Sequence, residues 1–502
     1  MLRHFVAVGG STAALVFGGL AAALAVGSGF APVWAEPPFS GSLVPPRTAL
    51  ERVGLERHWS AVVPMELSEK TVQLSFTENQ VFAQTNRGRF HAFDAETGGL
   101  QWSVTLGPVT SFSRPASVNS TLVFVGNESN IIGLDRKTGR PAFTYNLAAP
   151  LSITPVADDE RLIVGEIDGK IATYDLFLDP KERYVMVKPD GETVLRPPLR
   201  NVWNLQTGNS LQSRPILTKH VVAVGGQDGK LVVVANKTGP PQILYRFATG
   251  GPILGALGAL GTRTLLVPST DNNLYALDLF TGDLIWSFAA QAPISQGPLV
   301  TERGVYFQDD SGVVTSLDID KFWYVETAEG QAMAVFPMDQ RRQAEQRASA
   351  LIRQTGQTFI VVSRPKWTSG KVEGELLALS QKRIYGRDRN GSLFILNRDD
   401  GSVLRTPSEI LRSVGLDLRP FQLAVVNSEN DRLYLATPTG LVICLREITN
   451  LQPRPLRSPS ERPFGFIEGV DDKVIEPNAQ PNTDAASHDT LSSTFEFEGI
   501  RH

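Results

Sequence analysis

Residues 92–102 read AFDAETGGLQW and residues 276–286 read ALDLFTGDLIW, and both fit Ala-x-Asp-x-x-Thr-Gly-x-x-x-Trp. The shared places are Ala92, Asp94, Thr97, Gly98 and Trp102 in one copy, and Ala276, Asp278, Thr281, Gly282 and Trp286 in the other. Each copy follows a strand, a tight turn and a second strand, VFAQTNRGRFHAFD and LLVPSTDNNLYALD. A weaker copy at 133–143, GLDRKTGRPAF, keeps Asp135, Thr138 and Gly139 and puts Phe143 in the Trp place; another, VVANKTGPPQI, covers 233–243. Followed along the chain, the Asp place is held by Asp94, Asp135, Asp175, Ala235, Asp278, Asp318, Asn397 and Arg446. Five of the seven intervals between these positions come close to the length of one four-stranded propeller blade, about 40–45 residues. The two longer intervals, from Asp175 to Ala235 and from Asp318 to Asn397, each hold one blade plus an insertion.

The turns agree. NRGR, NESN, IDGK, QDGK, TDNN, DSG, RNGS and PTG supply Gly, Asn and Asp where a hairpin needs positive φ. A separate strand precedes each pair, often with Pro, and the aromatic keeps one spacing to that Pro, from Phe143 to Pro155 and from Trp286 to Pro298. The same spacing to Pro215 identifies Trp203 as the docking aromatic of the third repeat, and Trp367 takes that part in the sixth. Eight repeats result, the last lacking a fourth strand. Residues 57–63, RHWSAVV with Trp59, can supply it, sealing a ring with no unpaired sheet edge. The expected fold is therefore all-β: an eight-bladed β-propeller over 53–450, closed by an N-terminal strand, with one hairpin and one helical insertion. Seven blades is the alternative if one weak repeat fails. In each unit Trp is expected to bury a flat face between sheets, Asp and Thr to bond the turn backbone, and Gly to turn the corner. Ala is expected to be small because a neighbouring blade presses on it, with Cys444 in that place as a buried small side chain.

This repeat resembles the tryptophan-docking repeat of PQQ-like β-propellers over roughly residues 57–446. That group holds the quinoprotein alcohol dehydrogenases and the non-enzymatic outer-membrane assembly propellers of Gram-negative bacteria. The resemblance specifies a fold rather than an activity. It implies for the dehydrogenases a quinone beside a disulfide of adjacent cysteines, over a Trp floor, with calcium held by Glu, Asn and Asp. A single Cys cannot form that pair. Nor is there a CxxCH, HExxH, Gly-x-Ser-x-Gly or Gly-rich phosphate loop with Lys. Asp309-Asp310 and Asp399-Asp400 read as turn carboxylates, and His58 and His91 as core-edge or surface groups. No catalytic or metal-binding residue is singled out and no cofactor is expected; PQQ with calcium belongs to the alternative reading.

The chain has 502 residues, 48 Lys and Arg against 52 Asp and Glu, and a net charge of -4. This balance argues against nucleic acid as a partner. Residues 5–35 carry no charge and end in Val33-Trp34-Ala35, so 1–35 reads as an export signal or a retained anchor. Either places the body outside the cytoplasm, periplasmic or secreted, touching a membrane only through an uncleaved N-terminal segment. Residues 36–52 read as a Pro-rich linker and 451–502 as a disordered tail, whose Phe495-Glu496-Phe497-Glu498 is a weak candidate docking strand. Asn119, Asn127, Asn236 and Asn390 match a glycosylation pattern but coincide mostly with turns.

Both insertions fall between the Asp place and the docking Trp, so both leave the same face of the disk. The first, about 177–201, reads as a hairpin with a Pro189-Asp190-Gly191 turn. The second, about 322–363, contains an amphipathic helix: Ala344, Ala348, Leu351 and Ile352 recur on one side, with Arg341, Arg342, Arg347 and Arg353 among the polar positions. The apolar stripe is expected on the propeller, and the arginines are the candidate partner contacts. The reading is an exported, non-catalytic scaffold that binds protein at the cell envelope. The alternatives are an oxidoreductase with a degenerate PQQ site and a carbohydrate-binding propeller using Trp323 and Tyr324.

Overall fold

The computed structural model describes residues 43–107, 114–176, 185–187, 193–195, 199–208, 210–302, 304–318, 322–327, 332–337, 340–362, 365–458 and 463–467. The segment 1–35, the Pro189-Asp190-Gly191 turn and residues 495–498 lie outside this set, as do the side chains of Tyr324 and Arg341.

Eight four-stranded antiparallel sheets follow one another along the chain. Blade 1 contains Thr71–Thr77, Gln80–Thr85, Arg89–Asp94 and Leu100–Thr105, and its strands pair in chain order. Burial differs strand by strand for a simple reason. The second and third strands are covered on both faces by neighbouring blades, and every residue of Gln80–Thr85 is buried. The outermost strand meets solvent, and of Leu100–Thr105 only Trp102 is buried. Blade 2 repeats this with Phe143 in Pro141–Asn146.

The ring closes on the eighth sheet. Leu423–Ala424, Leu433–Ala436 and Leu441–Glu447 take Leu55–Val62 as the fourth strand. That strand runs antiparallel to the third, with Trp59 opposite Cys444 and Val62 opposite Leu441. Residues 47–52, expected as linker, form a helix that buries Ala49 and Leu50 in the core of blades 7 and 8.

The small residue of the repeat has a different cause from the one expected. Ala92 lies directly opposite Trp102 in the same sheet, Ala276 opposite Trp286, Gly133 opposite Phe143 and Cys444 opposite Trp59. A Cβ built on Gly133 would run into the Phe143 ring. At that position it is the blade's own aromatic, not a neighbouring sheet, that demands a small partner. Cys444 is fully buried, and burial pushes its thiol up to about 12.

His91, expected at an edge, is fully buried in blade 1, and neither ring nitrogen has a partner among the described residues. Burial pushes its pKa down to about 4; Arg89 acts in the same sense and Glu69 against it. The unfolded chain therefore takes up a proton near pH 6.5 that the folded one refuses until about 4. Stability should fall as pH drops through that window by about 3 kcal/mol from this residue. Urea melts of His91→Leu at pH 7 and pH 4.5 should show a correspondingly flatter pH dependence than wild type. Equal slopes would remove His91 from the account.

Candidate functional site

The docking motif is assembled across blades. In blade 1, Asp94 Oδ1 accepts from the Thr97 amide at 2.8 Å, the Thr97 hydroxyl at 2.9 Å and the Glu96 amide at 3.1 Å. Asp135 and Thr138 form the same turn in blade 2, where the Thr138 hydroxyl, with amide bonds and against burial, holds the Asp135 carboxyl below its usual range. Asp278 accepts from the amides of Phe280 and Thr281.

Each of these turns receives the aromatic of the preceding blade. Trp59 Nε1 donates to the Ala95 carbonyl at 2.8 Å, Trp102 to Arg136 at 2.9 Å and Trp367 to Arg398 at 2.9 Å, always the residue after the Asp place. The ring then lies on the Gly. Gly98 sits at φ 72°, and a Cβ there would fall 2.6 Å from the Trp59 ring. Gly139 meets Trp102 and Gly401 meets Trp367 in the same way. Gly98 thus answers two demands at once, a left-handed backbone and a flat contact surface.

Blade 4 docks through a residue the pattern overlooked. Tyr245 donates to Leu279 O at 3.0 Å and its ring lies on Gly282. Its third-to-fourth turn is longer than that of blade 1, so the aromatic slides from 243 to 245. The aromatic-to-Pro spacing points to it, but lands on Leu257 rather than on Pro. Asp175, at the root of the first insertion, instead pairs with Arg161 at 3.6 Å and with Arg200. Trp203 is buried, with Nε1 unpartnered among the described residues.

The first insertion contains an antiparallel pair, Val185–Val187 with Thr193–Leu195. The second is more than a helix. Phe322–Thr327 is the centre of a three-stranded sheet with Ala332–Pro337 and Phe359–Val362. Helix Arg341–Thr355 packs on it: Ala344, Ala348 and Leu351 join Trp323, Val325 and Phe359 in a core that continues to Trp286 and Phe307 of the propeller. The stripe therefore covers the insertion's own sheet, and Ile352, expected within it, is exposed. Trp323, expected as a surface aromatic, is buried. Arg342, Arg347 and Arg353 are exposed. In an antiparallel blade the first-to-second and third-to-fourth connections share one end, so both insertions leave that face, from blades 3 and 6.

The same face carries the chain after blade 8, expected as a tail from 451. A buried pair fixes its start: Arg432 and Asp431 are 3.0 Å apart, with Arg432 donating to Leu451 O and Asp431 accepting from the Arg454 amide. The segment then buries Leu456 between blades 6 and 7. Beyond it, the Ser458 amide donates to Glu302, Arg457 to Gly261 O and the Gly465 amide to Thr262 O. It crosses the first-to-second turns from blade 8 to blade 5.

Beneath it the first strands of all eight blades surround an axial cavity of about 740 Å³, from Thr77 in blade 1 to Val426 in blade 8. No Trp or Cys lines it, and among the described residues no cluster of His, Cys, Asp and Glu suits a metal ion. The described Trp residues are committed to blade docking and the insertion core, and Cys444 lies inside blade 8. These residues do not fit the quinone site that the dehydrogenase resemblance implies.

The other face holds a cavity of about 580 Å³ between blades 6 and 7, lined by both charges, including Asp309, Asp310 and Arg389. Asp309 serves its turn, accepting from the amides of Ser311 and Val313, and Asp400 accepts from Ser402. Asn119 and Asn236 are buried, with side chains bonded to backbone.

Trp59→Ala should lower stability by about 3–5 kcal/mol, since it empties the seam that seals the ring. Gly98→Ala should cost about 2 kcal/mol or more through φ and ring contact together. Urea unfolding measures both, and a neutral Gly98→Ala would refute the docking geometry.

The profile of the family described as outer membrane protein assembly factor BamB matches residues 86–242 and 242–340, just over half of the chain. Among solved structures, the crystal structure of BamB from Moraxella catarrhalis is 17% identical with a TM-score of 0.53, covering 79% of this chain and 98% of that one. The computationally designed Ika8 protein is 13% identical with a TM-score of 0.50, covering 75% and 96%. At these identities the structural likeness speaks for the fold alone. No curated protein sequence matches.

Proposed function

This chain belongs to the outer membrane protein assembly factor BamB family, and on that premise we propose that it is an exported, non-catalytic propeller that binds protein partners as a scaffold at the cell envelope. The observation that carries the reading is the blade 6 insertion. A module with its own buried core stands on the decorated face and presents Arg342, Arg347 and Arg353 to solvent. Exposed arginines on a rigid helix suit an acidic protein surface: arginine is enriched at interfaces, and complementary charge speeds encounter. The uncharged segment 5–35 supports export, and family membership supports an extracytoplasmic, envelope-facing setting. The axial lining supports the non-catalytic part, because its residues do not match a quinone site.

Pull-down from envelope extracts tests the reading. Reversing the three arginines to Glu should reduce captured partner at least tenfold, since losing a single interface hot spot already costs about 2 kcal/mol or more. Deleting 322–363 should do the same, but it also removes part of the core around Trp286, so the charge reversal is the cleaner arm. Identical partner sets would remove this module as the docking element. Saturable binding of PQQ with calcium, accompanied by dye reduction, would overturn the non-catalytic reading.

A further inference from the structure

The axial cavity is lined by an arginine from the ring itself. Arg214, from the Ser-Arg-Pro that precedes the first strand of blade 4, lines it and makes no hydrogen bond or ion pair with any described residue. Its side chain is exposed to solvent; desolvation by the cavity lowers its guanidinium pKa, with Glu429 acting in the opposite sense. The nearby acids are already engaged. Glu429 accepts from the Glu78 amide at 2.7 Å, and its own pKa is raised, by burial first. Glu375, on the cavity wall, is held by Arg387 at 2.5 Å.

A second cation enters from the C-terminal segment. Arg457 lines the same cavity, with its guanidinium carbon 5.7 Å from the centre of the Phe464 ring and one nitrogen on Gly261 O at 2.6 Å. Phe464 lines the cavity too. The corresponding Ser-Arg-Pro of blade 2 carries Arg114, whose Nε is buried without a partner among the described residues. The neighbouring blade 5 lines the cavity with small residues, Gly255, Ala256, Gly258 and Ala259, which leave the volume open. About 740 Å³ is the size of a small-molecule site. A guanidinium is best satisfied by two oxygens of one anionic group, because its planar fork matches them.

We propose that the axial cavity binds a small anionic ligand, through a carboxylate or phosphate group held by Arg214, and that Arg457 and Phe464 of the C-terminal segment complete the site. The site is composite: the ring supplies the anchor and the crossing segment supplies the second cation and an aromatic wall. It is independent of the docking surface on blade 6.

Isothermal titration calorimetry on the purified full-length protein tests this, using inorganic phosphate and citrate as probes, each against sodium chloride at matched ionic strength. Saturable one-to-one binding of at least one probe is expected. Arg214→Gln should weaken it at least tenfold and Arg457→Gln several-fold, while Arg214→Lys keeps part of the affinity and Arg412→Gln, exposed and away from the cavity, leaves it unchanged. Binding of phosphate alone assigns phosphorylated ligands, of citrate alone carboxylates, and of both an unselective oxyanion site. Thermal melts of each variant identify loss of fold; if Arg214→Gln fails to fold, Arg214→Lys and Arg457→Gln decide the matter. Failure of both probes to bind wild type, or wild-type affinity in the folded arginine variants, overturns the proposal.

Discussion

The stacking of one blade's aromatic ring on the glycine of the next blade's turn is the contact on which the wheel depends. A single four-stranded sheet exposes two apolar faces and cannot stand alone; it becomes stable when both faces meet neighbours. The aromatic fixes how they meet. At the Trp59, Trp102, Tyr245 and Trp367 seams its body covers the joint, its N–H or O–H reaches a backbone carbonyl, and the glycine beneath admits the ring only because it has no Cβ. Trp59 shows why closure matters. It belongs to the eighth blade by pairing with Leu441–Glu447, but it rests on Gly98 of the first. The first and last parts of the chain are therefore joined twice, by a strand ladder and by the seam it carries.

The insertions modify this contact as well as decorating the face. Where 177–198 leaves blade 3, Phe143 of blade 2 packs with Tyr174, Leu176 and Leu199 at the root of the excursion. Where the second insertion leaves blade 6, Trp286 of blade 5 joins a core that includes Trp323 and the helix residues Ala344 and Ala348. The blade 6 module is thus both the most individual feature of the protein and part of its ring. A surface built on packed elements holds its side chains in a fixed arrangement, which suits a docking element better than a free helix would.

The segment after blade 8 adds a second kind of constraint. Asp431 and Arg432 are almost fully buried, a placement that opposes stability unless every polar atom is answered. Here Asn450, Arg454 and the Leu451 carbonyl supply most of those partners. The pair is the anchor for residues 451–458, and residues 463–467 lie further round the ring at blade 5. One consequence is an axial cavity with polypeptide at one mouth, its chemistry drawn from blades and segment together.

The architecture was legible in the sequence because it is written in short range. A period of one blade length, turns of Asp, Asn and Gly, and an aromatic at a constant spacing before the next first strand are local properties, each with one backbone solution. Tyr245 escaped because a longer turn moved it out of the motif window, although the ladder still paired it correctly. His91 escaped because periodicity tells which strand a residue occupies and not how many sheets cover it. The three strands around the blade 6 helix, the helix at 47–52 and the course of 451–467 were decided only by tertiary packing. Their sequences carry no repeat, and their conformations follow from surfaces that exist only once eight sheets have been brought into a ring.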